Sequence, residues 1–468
     1  MRPLILISAL VWAGCAAETT PQPPPIDRFV YPSGIVHRQV DGSPNGALYV
    51  ASANFDKCFD TGAVLALDLD DLGLPEIGAP VGQAGPVEVT DLQVTPEDTV
   101  QIESFAGQLA LWNPPGGTPR LFVPTRAEEN FLHAINIQGK TTLECVNGLG
   151  KNCVIGALSL TRNIPGSVED LPRAPAPIGV TVNETGGQPE LWVTHIEAAD
   201  SPARTAQNFE TYLVRVPNAG AEELSVTSED FIPLGAGGLA VGGAHATAIG
   251  DRYVYATGRS FVAGQATQFA SFLLRLIDRT DTSRILDTGL SDVYRTLEAR
   301  DLVRVPLGGD RDRLYILARA PDTLLIVDVE NASAARPRFL VVNAVPLPDG
   351  ASAIQVLRRG PPGDELIAVT CTATTRTQGV LVLYDTKLGQ IVRQVGDVGR
   401  QPYGLALDQR ATGAARLYVT NFGDGRVAVI DIPNITRPQE ARLVAYLGKR
   451  QGRDVKQGTS TCQQETEP

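Results

Sequence analysis

The stretch Leu417-Tyr418-Val419-Thr420-Asn421, followed by Val427-Ala428-Val429-Ile430-Asp431, decides the fold. Both runs are rich in β-branched and aromatic residues, the composition of strands. They are apolar on both faces, so a strand formed here has to be covered from both sides. The first run recurs as Leu48-Tyr49-Val50-Ala51-Ser52, Leu121-Phe122-Val123-Pro124-Thr125 and Leu191-Trp192-Val193-Thr194-His195. It returns as Tyr253-Val254-Tyr255-Ala256-Thr257, Leu314-Tyr315-Ile316-Leu317-Ala318 and Leu366-Ile367-Ala368-Val369-Thr370. The seven copies start 73, 70, 62, 61, 52 and 51 residues apart.

Each spacing holds four short strands. A Gly- or Pro-marked apolar stretch precedes the string, as in Pro32-Ser33-Gly34-Ile35, Pro177-Ile178-Gly179-Val180 and Pro402-Tyr403-Gly404-Leu405. An apolar run ending in Asp often follows it, closing at Asp68, Asp328, Asp385 and Asp431. A more variable fourth strand ends the unit, as at 391–395 and 442–447. A four-stranded sheet repeated seven times covers its faces only by packing against its neighbours, and ring closure protects the edges. The expected fold is therefore all-β: a seven-bladed β-propeller of four-stranded antiparallel blades spanning residues 27–448. The longer spacings of the first half read as loop insertions.

From Pro402 to Asp431 the chain resembles the YVTN-type β-propeller repeat of bacterial surface and periplasmic proteins. Only the last copy matches that motif in full; elsewhere Thr-Asn is replaced by Ala-Ser, Pro-Thr, Thr-His or Ala-Thr. The resemblance implies a fold and a compartment and says little about chemistry.

The N-terminus agrees with that compartment. Arg2 precedes a short apolar run, Leu4 to Trp12, with small residues before Cys15. This is the layout of a secretory signal at 1–14, and it is about half the ~20 residues of a membrane-spanning helix. Val11-Trp12-Ala13-Gly14-Cys15 resembles a bacterial lipobox, with Trp12 where Leu is usual. The resemblance implies lipidation of Cys15; ordinary cleavage at a nearby Ala is the alternative. The Pro-rich segment to residue 26 suits a tether, and 449–468 reads as a tail. The expected address is the cell envelope, lipid-anchored at the outer membrane, with contact to the membrane through that lipid only.

A net charge of −12 over 468 residues opposes nucleic-acid binding, which needs a basic footprint. In an oxidising compartment the five cysteines after Cys15 are disulfide candidates. Cys145 and Cys153 flank a turn-prone segment with Gly148 and Gly150 and are expected to pair; the pairing of Cys58, Cys371 and Cys462 stays open. No C-x-x-C spacing, G-x-S-x-G elbow, Walker loop or calcium-loop spacing is present, and His37, His133, His195 and His245 fall in different repeats. No metal and no cofactor are therefore expected.

In a four-stranded blade the loop after the second strand opens on the same face as the loops between blades. Residues just after each string should thus ring a shared mouth, and the ligand-binding candidates are Arg126, Glu128, His195, Glu197, Arg259, Arg319, Asn421 and Asp424. The insertions 198–210 and 261–269 are long, and long loops are disproportionately functional. The recurrent Asp residues read as structural. The function expected is a monomeric, lipid-anchored binding or scaffold module for an envelope protein, peptide or glycan. The alternative is a lactonase-like hydrolase or lyase, which requires carboxylate, His and Arg side chains clustered at the axis.

Overall fold

The computed structural model describes residues 22–79, 85–127, 129–160, 176–184, 189–196, 212–235, 239, 242–262, 265–372 and 378–451. The signal, Cys15, most of the tether and tail, Glu128, Glu197, Cys462 and the insertion 198–210 lie outside the described residues.

Seven small sheets stand in a ring, a seven-bladed β-propeller. Blade 1 runs outward from the axis as Pro32–Arg38, Ala47–Ser52, Gly62–Asp68 and Thr99–Ile102. Blades 3, 5 and 6 repeat this order from inner strands Pro177–Asn183, Glu298–Pro306 and Ala351–Arg358. The second strand of each blade is the repeated string. Ala47–Ser52, Glu190–His195, Glu365–Cys371 and Ala415–Asn421 are buried along their whole length. Two-sided burial is what their unbroken apolar character required.

Three sheets depart from the four-stranded expectation by carrying a fifth strand. Blade 2 has a split outer edge, Thr142–Cys145 and Leu158–Ser159. In blade 4 the insertion at 261–269 is part of a hairpin, because Gln265–Ser271 pairs back on Tyr253–Val262. In blade 7 the extra strand is Val87–Val89, which comes from blade 1 and pairs in parallel with Arg442–Leu447.

That last strand closes the ring. Each blade is otherwise made of consecutive strands, so blades 1 and 7 meet with no strand exchanged between them. The long connection between the third and outer strands of blade 1 crosses onto blade 7 and is tied down there. Arg416 Nη2 donates to Pro75 O at 2.6 Å, Gly78 N–H reaches Asp431 at 3.4 Å, and Arg426 pairs with Glu88 at 3.0 Å. The expected Cys145–Cys153 disulfide is present. Its loop lies along the outer strand of blade 1, with Cys153 N–H donating to Gln101 O and Gln101 N–H to Lys151 O. Cys58 is also disulfide-bonded, and Cys371 is free and buried.

The pairing explains individual letters of the repeat. Inner strands carry a β-bulge near the loop face, and the fourth residue of the string stands opposite it. In blade 7 the Gly404 N–H donates to Thr420 Oγ1 at 2.7 Å, and the Thr420 hydroxyl donates to Ser33 O of blade 1 at 2.9 Å. Thr194 repeats this between Gly179 N–H and His245 O of blade 4. In blade 6 Thr370 accepts from Ala353 N–H, while Ser352 carries the bridge to Pro402 O. Thr257 and Thr370 both face the bulge, opposite Ala246 and Ala353. The fourth and sixth copies therefore sit one residue later than string alignment suggests. The aromatic position makes the bridge at the other end: Tyr255 OH donates to Asp312, and Tyr315 OH to Glu365.

Thr420→Val keeps the shape and removes the bridge, leaving Gly404 N–H and Ser33 C=O buried without it. The expected loss is about 1–3 kcal/mol, read as a lower urea midpoint at unchanged slope. An unshifted midpoint contradicts the assigned role.

Candidate functional site

The bulges do more than accommodate a hydroxyl. Six inner strands shift register near the loop face, between Pro32 and Ile35, Pro177 and Gly179, Ala244 and Ala246, Ala299 and Asp301, Ala351 and Ala353, and Pro402 and Leu405. An extra residue at a bulge is turned out of the ladder, a common device beside functional sites. Here the turned-out positions include Ile178, His245, Arg300, Ser352 and Tyr403, and all of them line one axial cavity of about 240 Å³. The remaining wall mixes apolar side chains, Ile35, Leu109, Leu302, Ile354 and Leu405, with the polar Gln108, Thr181, Thr247 and Gln355.

One side of the mouth is charged. Glu298 opens the inner strand of blade 5 and draws in residues from blades 4 and 5. His245 Nε2 lies 3.2 Å from its carboxylate, Arg319 3.3 Å, Arg259 3.8 Å and Arg300 4.0 Å. Burial alone would raise the Glu298 carboxyl, but the close His245 ring and the nearby arginines outweigh it and hold it well below the usual range. Burial pushes His245 down to about 4, so the ring is neutral at pH 7. Its Nδ1 lies 3.3 Å from Arg300 Nη1. Nε2 stands against the Glu298 carboxylate without an aligned hydrogen bond, and Nδ1 accepts from Arg300. Arg319 also donates to the carbonyls of Ala351 and Gly350, which fixes its fork.

Asp301 follows directly in the cavity wall. Its carboxylate accepts the N–H of Leu302 and, across to blade 6, of Ile354. Burial is the dominant influence and raises it to about 6 despite those bonds. A channel carboxylate poised near neutrality has the pKa a general acid or base needs.

The opposite side of the mouth is aromatic. Phe422 of blade 7 meets Tyr31 at 5.0 Å, Phe55 at 5.4 Å and Tyr403 at 6.1 Å between ring centroids. Phe55 in turn meets Phe105 edge-on at 4.8 Å, and Phe55 is 44% exposed.

The candidates read from sequence divide accordingly. Arg259 and Arg319 converge on Glu298. Arg126, half-buried, reaches Phe105 O at 3.4 Å beside the aromatic group. His195 is fully buried, with Nδ1–H donating to Tyr212 O. Asn421 donates to Val398 O, and Asp424 accepts from Arg400 N–H; both are fully buried within blade 7. Sequence reasoning passed over Arg300, Asp301, Glu298 and the aromatic rings. A signal existed, since Arg300-Asp301 fills the slot held elsewhere by Ile178-Gly179 or Tyr403-Gly404. The recurrent Asp residues are structural: Asp328 and Asp431 each clamp an arginine of their own blade, Arg313 and Arg416.

No known protein-family profile matches the chain, and no curated protein matches it. Among solved structures it is similar to the hydrazine synthase of Kuenenia stuttgartiensis, with 12% identity, a TM-score of 0.46, and 86% of this chain and 96% of that one covered. It is similar to a mutant of the Synechocystis apocarotenoid oxygenase at 13% identity and a TM-score of 0.43, over 91% of this chain and 96% of that one. A prolyl endopeptidase aligns at 12% identity and a TM-score of 0.37, over 92% of this chain and 50% of its own. Likeness at this level says nothing about activity.

Proposed function

We propose that the chain is a lipid-anchored binding module of the cell envelope, engaging a protein, peptide or glycan through the loop face around its channel mouth. The observation that carries this reading is the two-sided mouth, with guanidinium groups facing a contiguous aromatic patch across a concave opening. A concave wall with a few placed polar groups is the usual form of a binding site. Capture from solubilised envelope with the wild type and with Phe55→Ser tests it. Phe55 is exposed, so the substitution should leave the fold intact. The partner held by the wild type is expected to be absent from the variant. A chain that retains nothing from the envelope yet hydrolyses a substrate overturns the reading. Labelled fatty acid should enter the wild type and not Cys15→Ser; an unlabelled wild type removes the anchor.

A hydrolase or lyase reading has its own support, because carboxylate, His and Arg do gather at the axis around Glu298 and Asp301. In that reading Asp301, raised to about 6, is the acid or base. Lactone hydrolysis by the full chain should then be abolished in Asp301→Asn. Turnover that survives that change removes the reading.

A further inference from the structure

We infer that the ligand of the mouth is a neutral glycan, its terminal sugar ring in the axial cavity and the rings before it on the aromatic rim. This rests on the reading of the channel mouth as the binding site and names its ligand class. The cavity wall offers neutral hydrogen-bonding groups from several blades. Gln108 stands just before the inner strand Ala110–Trp112 of blade 2, and its side-chain amide makes no hydrogen bond to any described residue. Gln355 of blade 6 donates from Nε2 to Leu405 O at 3.1 Å and presents Oε1 as an acceptor. Thr247 donates to the Thr181 hydroxyl at 2.9 Å, which leaves lone pairs on both oxygens. The Tyr403 hydroxyl has no partner among the described residues. Aliphatic side chains stand between these groups. A sugar ring has apolar C–H faces and a hydroxyl edge, so it meets both halves of such a wall, whereas an apolar ligand would leave the amides without partners.

Charge and size narrow the class. Arg300 and Asp301 are the charged side chains in the described wall, one of each sign, beside a neutral His245. Both are engaged: Arg300 donates to His245 Nδ1, and Asp301 accepts the N–H groups of Leu302 and Ile354. A peptide entering end-on would bury a charged amine or carboxylate without a counter-ion, which is costly; the end of a neutral glycan carries no charge. The cavity of about 240 Å³ equals roughly eight waters at ~30 Å³ each, room for one sugar ring and not for two. The rings before it need a surface outside, and Tyr403 connects the two places. It lines the cavity and lies 6.1 Å from Phe422, which meets the exposed Phe55 at 5.4 Å. Aromatic faces cover the C–H faces of sugars and gain apolar burial by doing so.

Calorimetric titration of the full chain with maltotetraose, cellotetraose, mannotetraose and chitotetraose, beside tetragalacturonate, tests the inference. At least one neutral tetrasaccharide is expected to bind saturably, one per chain, and more tightly than the acidic one. Gln108→Leu should weaken it roughly tenfold; Tyr403→Phe, which keeps the ring and removes only the hydroxyl, should weaken it less. Phe55→Ser should weaken the tetrasaccharide more than the corresponding monosaccharide, because the rim holds the outer rings. Binding unchanged in both Gln108→Leu and Tyr403→Phe overturns the inference, as does tighter binding of tetragalacturonate. If the Leu variant does not fold, NOEs from sugar ring protons to the methyls of Ile354 and Leu405 in the wild type decide. Their absence overturns the site. No binding of any of the four neutral sugars, with envelope capture still lost in Phe55→Ser, removes this inference and leaves the broader reading standing.

Discussion

Asp431→Ala is expected to destabilise the chain by about 3–5 kcal/mol, the cost of stranding a buried charge. Asp431 and Arg416 are both fully buried, joined by two bonds of 2.6 and 3.1 Å. Removing the carboxylate leaves the guanidinium without its anion inside blade 7. It also loosens the strap, since Gly78 N–H reaches Asp431 and Arg416 holds Pro75 O. The loss should therefore have two parts: a lower urea midpoint, and faster proteolytic nicking between Pro75 and Gly78. Replacing both partners by leucine should recover most of the midpoint, because no charge is then left buried. A loss under about 1 kcal/mol, or nicking no faster than wild type, contradicts the assigned role.

The second large effect is acid lability above the range where carboxylates titrate. Burial holds His133 and His245 down to about 4 and His195 to about 3, and lowers His37 as well. Each binds its proton more readily unfolded than folded. Their stability contribution is therefore complete above the ordinary value near 6.5 and is lost as pH falls toward the folded values. Asp301 has the opposite sign: raised to about 6, it favours the folded state as pH falls through that value. At ~1.4 kcal/mol per pH unit for each group, His133, His195 and His245 together lose roughly 6 kcal/mol by pH 5 and Asp301 returns about 1. Against a total of ~5–15 kcal/mol, the melting temperature should drop steeply between pH 7 and 5. His195→Gln should flatten that slope. A melting temperature constant over this range would contradict the burial assigned to these rings.

Seven blades were legible because Leu417-Tyr418-Val419 and its relatives are apolar on both faces, and only blade-on-blade packing satisfies such strands. The Cys145–Cys153 pair was legible because a short glycine-containing loop brings its ends together. The strap was not. Val87–Val89 is three residues long and exposed at Val87, so it carries no periodicity, and its partner lies far along the chain. The mouth was legible by face but only in part by residue. His195 and Asn421 occupy slots that the bulge geometry directs inward between strands, whereas Arg300 and Tyr403 occupy the slots turned toward the axis. That distinction belongs to backbone pairing, and its one mark in the order of residues is the slot before the string, where Arg300-Asp301 replaces Ile178-Gly179 or Tyr403-Gly404.

The whole account depends on one closed ring, with blade 1 strapped across the edge of blade 7. Methyl NOE spectroscopy on the folded chain tests that contact, because Val89 stands beside Leu447 and Val87 beside Ala445 in the parallel pairing. Cross-peaks between those methyls are predicted. A well-dispersed spectrum in which Leu447 shows contacts only within its own blade would mean that the ring is not closed this way.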